Sequence, residues 1–355
     1  MSTPLDNAVR KMHDECNSYT DTVMALRAIA HELRWDSKAK APKLGTEVSF
    51  GRRMQTTDGN RVSKSREVTP DLVIQLDNRS GVIAEAKTAL SSIAERRRSR
   101  LLEIQKYDDN LKGWLTPTET VESHSIVLLV HLHRDQEVAQ QITELTTEGA
   151  FKMDRSFAVV SFAVITQGKT YFTLSLAHGS LLDREKEARL RRRTPIDMEH
   201  LAGNPEFATL KLYDAPPPVP LLMDLIQQCI ASRLTPEQRD TFKDIGYVDV
   251  PVRVEVLTRW MAEDYGPRCR QGARAPEIPP RSWVHDAMDR FVELGWAKEP
   301  DSKAYGLFVY TYKRRVKPFE KFLKHCAQIQ LELEQKKVAA ESWESLPLFA
   351  HLKDQ

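Results

Sequence analysis

Hydrophobic residues near the start of the chain recur at steps of three and four: Val9, Met12, Cys16, Tyr19, Val23, Leu26, Ile29 and Leu33. That spacing predicts an amphipathic helix over residues 6–35, ended by Asp36 and the Lys/Ala/Pro stretch behind it. The period then shortens. Thr46–Phe50 predicts a strand and TTDGN a turn. Leu72–Leu76 and Val82–Lys87 are apolar and β-branched, and the DNRSG between them is turn chemistry, so the two predict an antiparallel hairpin. Helical spacing returns from Thr88 to about Trp114. Next come a buried strand at Ser125–Leu132 (SIVLLVHL), a helix over Gln136–Thr147, and strands at Phe157–Thr166 and Thr170–Leu176 about the turn QGK. Helix, three strands, helix, strand, helix, strands is the order expected of an α/β sandwich around a mixed sheet.

The pattern changes character at APPPVP (215–220), which cannot continue a helix and favours an extended linker. The predicted organisation is therefore a first domain over 1–183, a charged and Pro-rich connector over 184–220, and a second domain over 221–355. Beyond the linker, Leu221–Ile230, Arg253–Tyr265 and Arg281–Leu294 carry apolar residues at helical spacing, and GWAKEPDSKAYGLFVYTYK reads as strand, turn and strand. Three helices followed by a hairpin resemble the layout of a winged-helix domain, here smaller than the first domain, of α+β type and followed by a C-terminal helix. In that layout the third helix enters the major groove, which makes Arg281, Ser282 and His285 groove-facing residues and places Lys303 and Arg314 on or beside the wing. Asp286, Asp289 and Glu293 on the same helix would repel phosphates. Winged helices also dock proteins, and both roles stay open for this domain.

Composition adds limits. With 41% hydrophobic and 29% charged residues, the chain is ordinary for a globular protein. No apolar run approaches a membrane span, so no membrane partner is expected. The polar N-terminus, MSTPLDNAVRKMHDE, resembles no secretory or transit signal, which predicts a cytoplasmic setting. The four cysteines are scattered singly without CxxC spacing and read as reduced packing residues. A net charge of +2 does not announce nucleic acid, but the basic residues bunch in ERRRSR (95–100), REKEARLRRR (184–193) and KRRVK (313–317). Within the first run Arg96, Arg97 and Arg98 are candidate phosphate contacts.

The chemistry sits on the hairpin. Pro70-Asp71 is followed by thirteen residues and then Glu85-Ala86-Lys87. Asp71 opens one strand, while Glu85 and Lys87 lie two apart near the end of its partner and so share a face. Phosphodiester hydrolysis calls for such a set: carboxylates to hold a hard divalent cation, and a cation to orient the attacking water or offset developing charge. Asp71 and Glu85 are the candidate ligands, with the Ala86 carbonyl as a third, and Lys87 would stand beside the water. HLH (131–133) could aim two imidazoles at a metal, but no third ligand is in register. No P-loop, dinucleotide fingerprint or nucleophile elbow is present, so NTPase, dinucleotide and serine-hydrolase readings lack their entry signal.

The segment TPDLVIQLDNRSGVIAEAK resembles the PD-(D/E)XK nuclease superfamily, and the order of elements over residues 6–176 is similar to that of its restriction endonuclease-like core. The resemblance implies a metal-dependent DNA endonuclease using Mg²⁺ or Mn²⁺, in a defence, restriction or mobile-element system, for which antiviral defence would be one setting. It implies DNA as partner, RNA not being excluded, and a protein partner such as a helicase, ATPase or methyltransferase; a homodimer is also compatible. The family places an acid on or near the first helix, for which Glu32 and Glu47 are the candidates, Glu47 the preferred one. It also carries a Gln and a Tyr after the ExK strand, matched by Gln105 and Tyr107 at a spacing different from the QxxxY of the RecB-like branch. The alternative, from another class, is an inactive nuclease-like subunit that binds DNA or assembles a complex.

Overall fold

A computed structural model describes residues 3–36, 41–42, 46–56, 67–77, 79–87, 94–114, 116, 118–167, 169–193, 195–203, 210–213, 215–245, 247–266, 278–301, 304–310 and 318–344. The chain forms two compact units, a larger one of residues 18–216 and 262–279 and a smaller one of residues 1–17, 217–261 and 280–355. Helix α1 (Pro4–Arg34) contributes to both. It begins in a reciprocal cap: Thr3 Oγ1 accepts the Asp6 N–H at 3.1 Å, and Asp6 Oδ2 accepts the Thr3 N–H at 3.1 Å.

The larger unit is built on strands β1 (Glu47–Phe50), β2 (Leu72–Gln75), β3 (Ser80–Ala86), β4 (Ser123–His131), β5 (Ser156–Gln167), β6 (Lys169–Gly179) and β7 (Pro195–Asp197). They form one seven-stranded sheet in which neighbours in space are neighbours in sequence, from β1 at one edge to β7 at the other. The pairs β3·β4 and β4·β5 are parallel and the rest antiparallel, so the sheet is mixed. The two parallel steps need crossovers, and these carry α2 (Ala94–Leu102) and α3 (Asp135–Thr147). Being covered on both faces, β4 reads as the unbroken apolar run Ile126–Val130, every residue fully buried. On one face Val73, Ile83, Leu128 and Val130 pack with Leu101, Tyr107 and Trp114 and with Val138 and Ile142 of α3. The α/β class and the mixed sheet flanked by helices agree with the sequence reading.

Two stretches differ from it. The helix expected to reach Trp114 stops at Leu102. It tightens into a 3₁₀ turn over Glu103–Tyr107 and gives way to a short strand, Leu111–Lys112, that pairs with Met54–Thr56. The charged segment after residue 183, read as a connector, supplies α4 (Arg184–Arg191), β7 and α5 (Met198–Gly203) to the larger unit. α4 starts because Asp183 caps it, accepting the N–H groups of Glu185 and Lys186 at 3.0 and 3.2 Å.

The smaller unit holds α6 (Val219–Ala231), α7 (Pro236–Ile245), β8 (Tyr247–Arg253), α8 (Val254–Tyr265, which continues into the larger unit after Met261), α9 (Arg281–Glu293), β9 (Ala297–Asp301), β10 (Ala304–Tyr310) and α10 (Pro318–Glu344). Its three strands are antiparallel in the order β8, β10, β9. α9 buries Val284, Ala287, Met288 and Phe291, the one-face spacing of an amphipathic helix, and leaves its charged residues outside. α7 and β8 were not expected from the sequence. No helix among the described residues is long and apolar enough to cross a membrane.

Candidate active site

The hairpin turn sets the register of the site. Asp77 Oδ1 accepts the N–H groups of Arg79 and Ser80 at 2.9 and 2.8 Å and the Ser80 hydroxyl at 2.9 Å, an Asx-type closure. Gly81 then passes beneath the Trp114 indole, where a Cβ would lie 2.1 Å from the ring, so only glycine lets the indole seat on β3. In the resulting register Leu72 stands opposite Ala84. Asp71, one residue before β2, therefore meets the end of β3, and its Oδ2 accepts the Ala86 N–H at 2.7 Å.

Glu85 is the hub of the charged cluster. Lys87 Nζ lies 2.9 Å from Glu85 Oε1 and 3.9 Å from Glu103 Oε2. The other oxygen, Oε2, accepts the Tyr107 hydroxyl at 2.7 Å. Lys106 Nζ is 3.9 Å from Glu85 Oε1 and 4.7 Å from the centre of the Tyr107 ring. Asp71 and Glu85 are 5% and 6% exposed, a depth at which an unpartnered carboxylate costs several kcal/mol, so these contacts are what permits them there. Burial pulls the Lys87 ammonium down, but the charges of Glu85, Asp71 and Glu103 outweigh it and hold its pKa above the ordinary lysine value. It stays a cation at neutral pH.

Behind the cluster stands an uncharged support. Tyr107 is fully buried, and its backbone carbonyl lies 2.8 Å from Nε2 of buried His124. A carbonyl can only accept, so Nε2 carries the proton and donates it. Burial drives the His124 pKa down to about 4 against the opposing pull of that hydrogen bond, which leaves the ring neutral above that range. The imidazole packs 5.5 Å from the Trp114 ring, whose indole N–H donates to the Leu111 carbonyl at 3.0 Å.

Tyr213, which sequence reasoning missed, is buried near enough to this site to feel its charges. It hydrogen-bonds Thr22 of α1, stacks at a tilt 5.0 Å from Tyr19, and donates its backbone N–H to the Tyr19 hydroxyl at 3.3 Å. Burial and then the charges of Asp71 and Glu85 push its phenol above the ordinary tyrosine range, so it remains protonated. Its only sequence signal was a tyrosine just ahead of the Pro-rich stretch.

Other candidates are distributed elsewhere. Gln105 spends its amide on a neighbouring loop: Oε1 accepts the Lys152 N–H at 2.8 Å and Nε2 donates to the Ala150 carbonyl at 3.3 Å. Glu47 stands opposite Gln75, at the far end of β2 from Asp71, roughly 13 Å along the strand at its usual rise per residue. Glu32 is buried in a two-bond pair with Arg189, at 3.0 and 2.8 Å. Neither acid completes the Asp71–Glu85 pair. In the basic run, Arg97 is not a surface cation; it is buried and bonded to Gln141 and Glu137 of α3. Arg98 pairs with Glu148 at 2.8 Å, and Arg96 is exposed. On α9, Arg281 lies 3.7 Å from Glu255 and His285 is 2.9 Å from Asp289, while Ser282 is exposed. Lys303 and Arg314 lie outside the described residues.

Asp71, Glu85 and the Ala86 carbonyl give an all-oxygen donor set. Mg²⁺ commonly takes one or two protein carboxylates and completes its shell with water, so these residues fit a lightly held ion. Among the described residues, no group of three or more His, Cys, Asp or Glu gathers to hold a metal. Comparison with known proteins finds no matching family model, no matching curated protein and no matching solved structure.

Proposed function

We propose that the larger unit is a divalent-metal-dependent nuclease of the PD-(D/E)XK kind, an endonuclease acting on DNA. The observation that carries this reading is the meeting of buried Asp71 and Glu85 at one end of the β2–β3 hairpin, with the Lys87 ammonium 2.9 Å from Glu85. When bound, Mg²⁺ or Mn²⁺ would offset phosphate charge and make water a stronger nucleophile. Asp71, Glu85 and the Ala86 carbonyl are the groups that would hold it. Lys87 remains charged and is the group to orient the attacking water or to meet charge developing on the phosphate. Tyr107 fixes the rotamer of Glu85, leaving Oε1 on the Lys87 side. The element order of the larger unit supports a restriction endonuclease-like core, and the smaller unit's sheet order, with α7 leading into β8 and α8 and α9 between β8 and the β9–β10 hairpin, supports a winged-helix-like one.

Incubation of the full chain with supercoiled plasmid and Mn²⁺ tests the reading. EDTA-sensitive nicking that Asp71→Asn abolishes is expected; equal nicking by the variant would remove this site from consideration. A second reading, an assembly subunit without turnover, gains support from Glu32 and Glu47 both standing away from the pair and from Glu85 being fully engaged by protein groups. No nicking in any divalent metal, alone or with a helicase, ATPase or methyltransferase partner, is its outcome.

A further inference from the structure

The smaller unit carries a groove of about 790 Å³ walled by the first part of α1 with α6, α9 and α10. Its apolar lining includes Met12, Val219, Pro220 and Met223, of which Val219 is 40% exposed and Met223 forms the buried floor. Carboxylates edge it: Glu15, Asp286, Asp289, Glu293 and Glu334. Among the described residues the cations in the same wall are Lys11 and Arg290, and Arg290 is already paired with Glu293. The acid excess survives the internal pairs. Asp289 is shared between His285 and the Tyr305 hydroxyl, at 2.9 Å each.

We infer that this groove docks a protein partner through a Lys/Arg-rich amphipathic helix, its apolar stripe on Met12, Val219 and Pro220 and its cations on the carboxylates. The apolar lining calls for an apolar face, and the rim calls for positive charge around it; a helix with one apolar stripe and basic flanks supplies both. Duplex DNA meets neither demand, since phosphates would face five carboxylates and no base edge is apolar enough to fill the lining. The face of α9 that carries Asp286, Asp289, Arg290 and Glu293 is thus for protein; Arg281, Ser282 and His285 line a separate pocket of the smaller unit. The inference does not depend on whether the larger unit cleaves DNA.

The test uses the full chain and fluorescence anisotropy with three labelled probes: a Leu/Lys peptide patterned as an amphipathic helix, a Leu/Glu peptide of the same pattern, and a blunt DNA duplex. The Leu/Lys peptide should bind, and Glu15→Lys with Asp286→Lys should weaken it at least ten-fold while creating affinity for the Leu/Glu peptide. That exchange of preference cannot arise from a misfolded variant. Val219→Ser, which leaves all charge in place, should weaken the Leu/Lys peptide several-fold. Equal Leu/Lys binding by the wild type and the charge-reversed protein overturns the proposal, as does duplex DNA displacing the peptide from the wild type but not from the charge-reversed one. Mn²⁺-dependent nicking, measured in parallel, reports on the nuclease reading alone.

Discussion

Two clusters of ionisable groups can be set side by side, the one around Glu85 in the larger unit and the one along α9 in the smaller. In the first, two carboxylates are almost wholly buried, and each is aimed by a neutral or backbone group, Asp71 by the Ala86 N–H and Glu85 by Tyr107. In the second, the ionisable groups lie on the surface and pair locally: His285 with Asp289, Arg290 with Glu293, Arg281 with Glu255. Buried charges are costly to assemble and expensive to disturb, whereas exposed pairs are worth less than about 1 kcal/mol. The difference shows where the fold has invested in orienting a polar group. Arginines counted as cations from sequence can be neutralised where they stand.

The comparison breaks most readily at the buried cluster. Asp71→Asn and Glu85→Gln should each lower Mn²⁺-dependent nicking by at least about a hundred-fold, and Lys87→Ala comparably. Duplex affinity should stay within a few-fold, because few phosphate contacts are lost. Gel quantification beside a binding titration separates the two effects, and a parallel loss of affinity would move these residues from catalysis to binding.

The neutral support should show in pH. His124 is held at about 4 when folded and returns to its ordinary 6.5 when unfolded, so between those values unfolding takes up a proton. Stability contributed by the neutral ring is full above 6.5 and is lost as pH falls toward 4, by about 3 kcal/mol. Urea unfolding at several pH values should show a steeper acid loss for the wild type than for His124→Gln. Identical slopes would mean that another group governs the acid limb.

Smaller effects follow. Tyr107→Phe removes a hydrogen bond to a buried carboxylate and should cost about 2 kcal/mol in the same unfolding measurement, with nicking reduced about ten-fold. Arg281→Ala, at the exposed cluster, should change stability by less than about 0.5 kcal/mol. It should leave the slope of log affinity against log salt unchanged for duplex binding, since one lost phosphate contact would shift that slope by about 0.9. A slope shallower by about 0.9 would make Arg281 a phosphate contact and its face of α9 a DNA surface.

The alternating and continuous apolar runs made most of the large sheet legible, because burial on one or both faces writes itself into a strand. β8 was not legible: YVDVPVR mixes charge and a proline into seven residues, and it is paired on one side only, so its composition looks like a loop. β7 is three residues long, too short to carry a period. Asp71, Glu85 and Lys87 were readable because they lie on one hairpin, where spacing alone predicts proximity. Tyr213 was not, since its place depends on contacts with Tyr19 and Thr22 far away in the chain. The helix predicted through Trp114 failed because tertiary pairing of Leu111–Lys112 with Met54–Thr56 outcompeted local propensity.

The strictly sequential order of the seven strands has a kinetic side. Every strand pair closes a modest loop, so the sheet can grow by adding the next strand as the chain becomes available, with little entropic penalty at each step. The long-range closures include those of α1, Arg27 to the Leu210 carbonyl, Glu32 to Arg189 and Tyr19 to Tyr213, and the Lys211 and Leu212 N–H groups on the Tyr265 carbonyl. They require the far end of the unit to exist first. Asp71 and Glu85 should therefore come together early on their hairpin, while Tyr213 arrives last. In pulsed hydrogen exchange during refolding, the amides of β2 and β3 should gain protection before those of Leu212 and Tyr213, and the reverse order would show that α1 and its partners template the sheet instead.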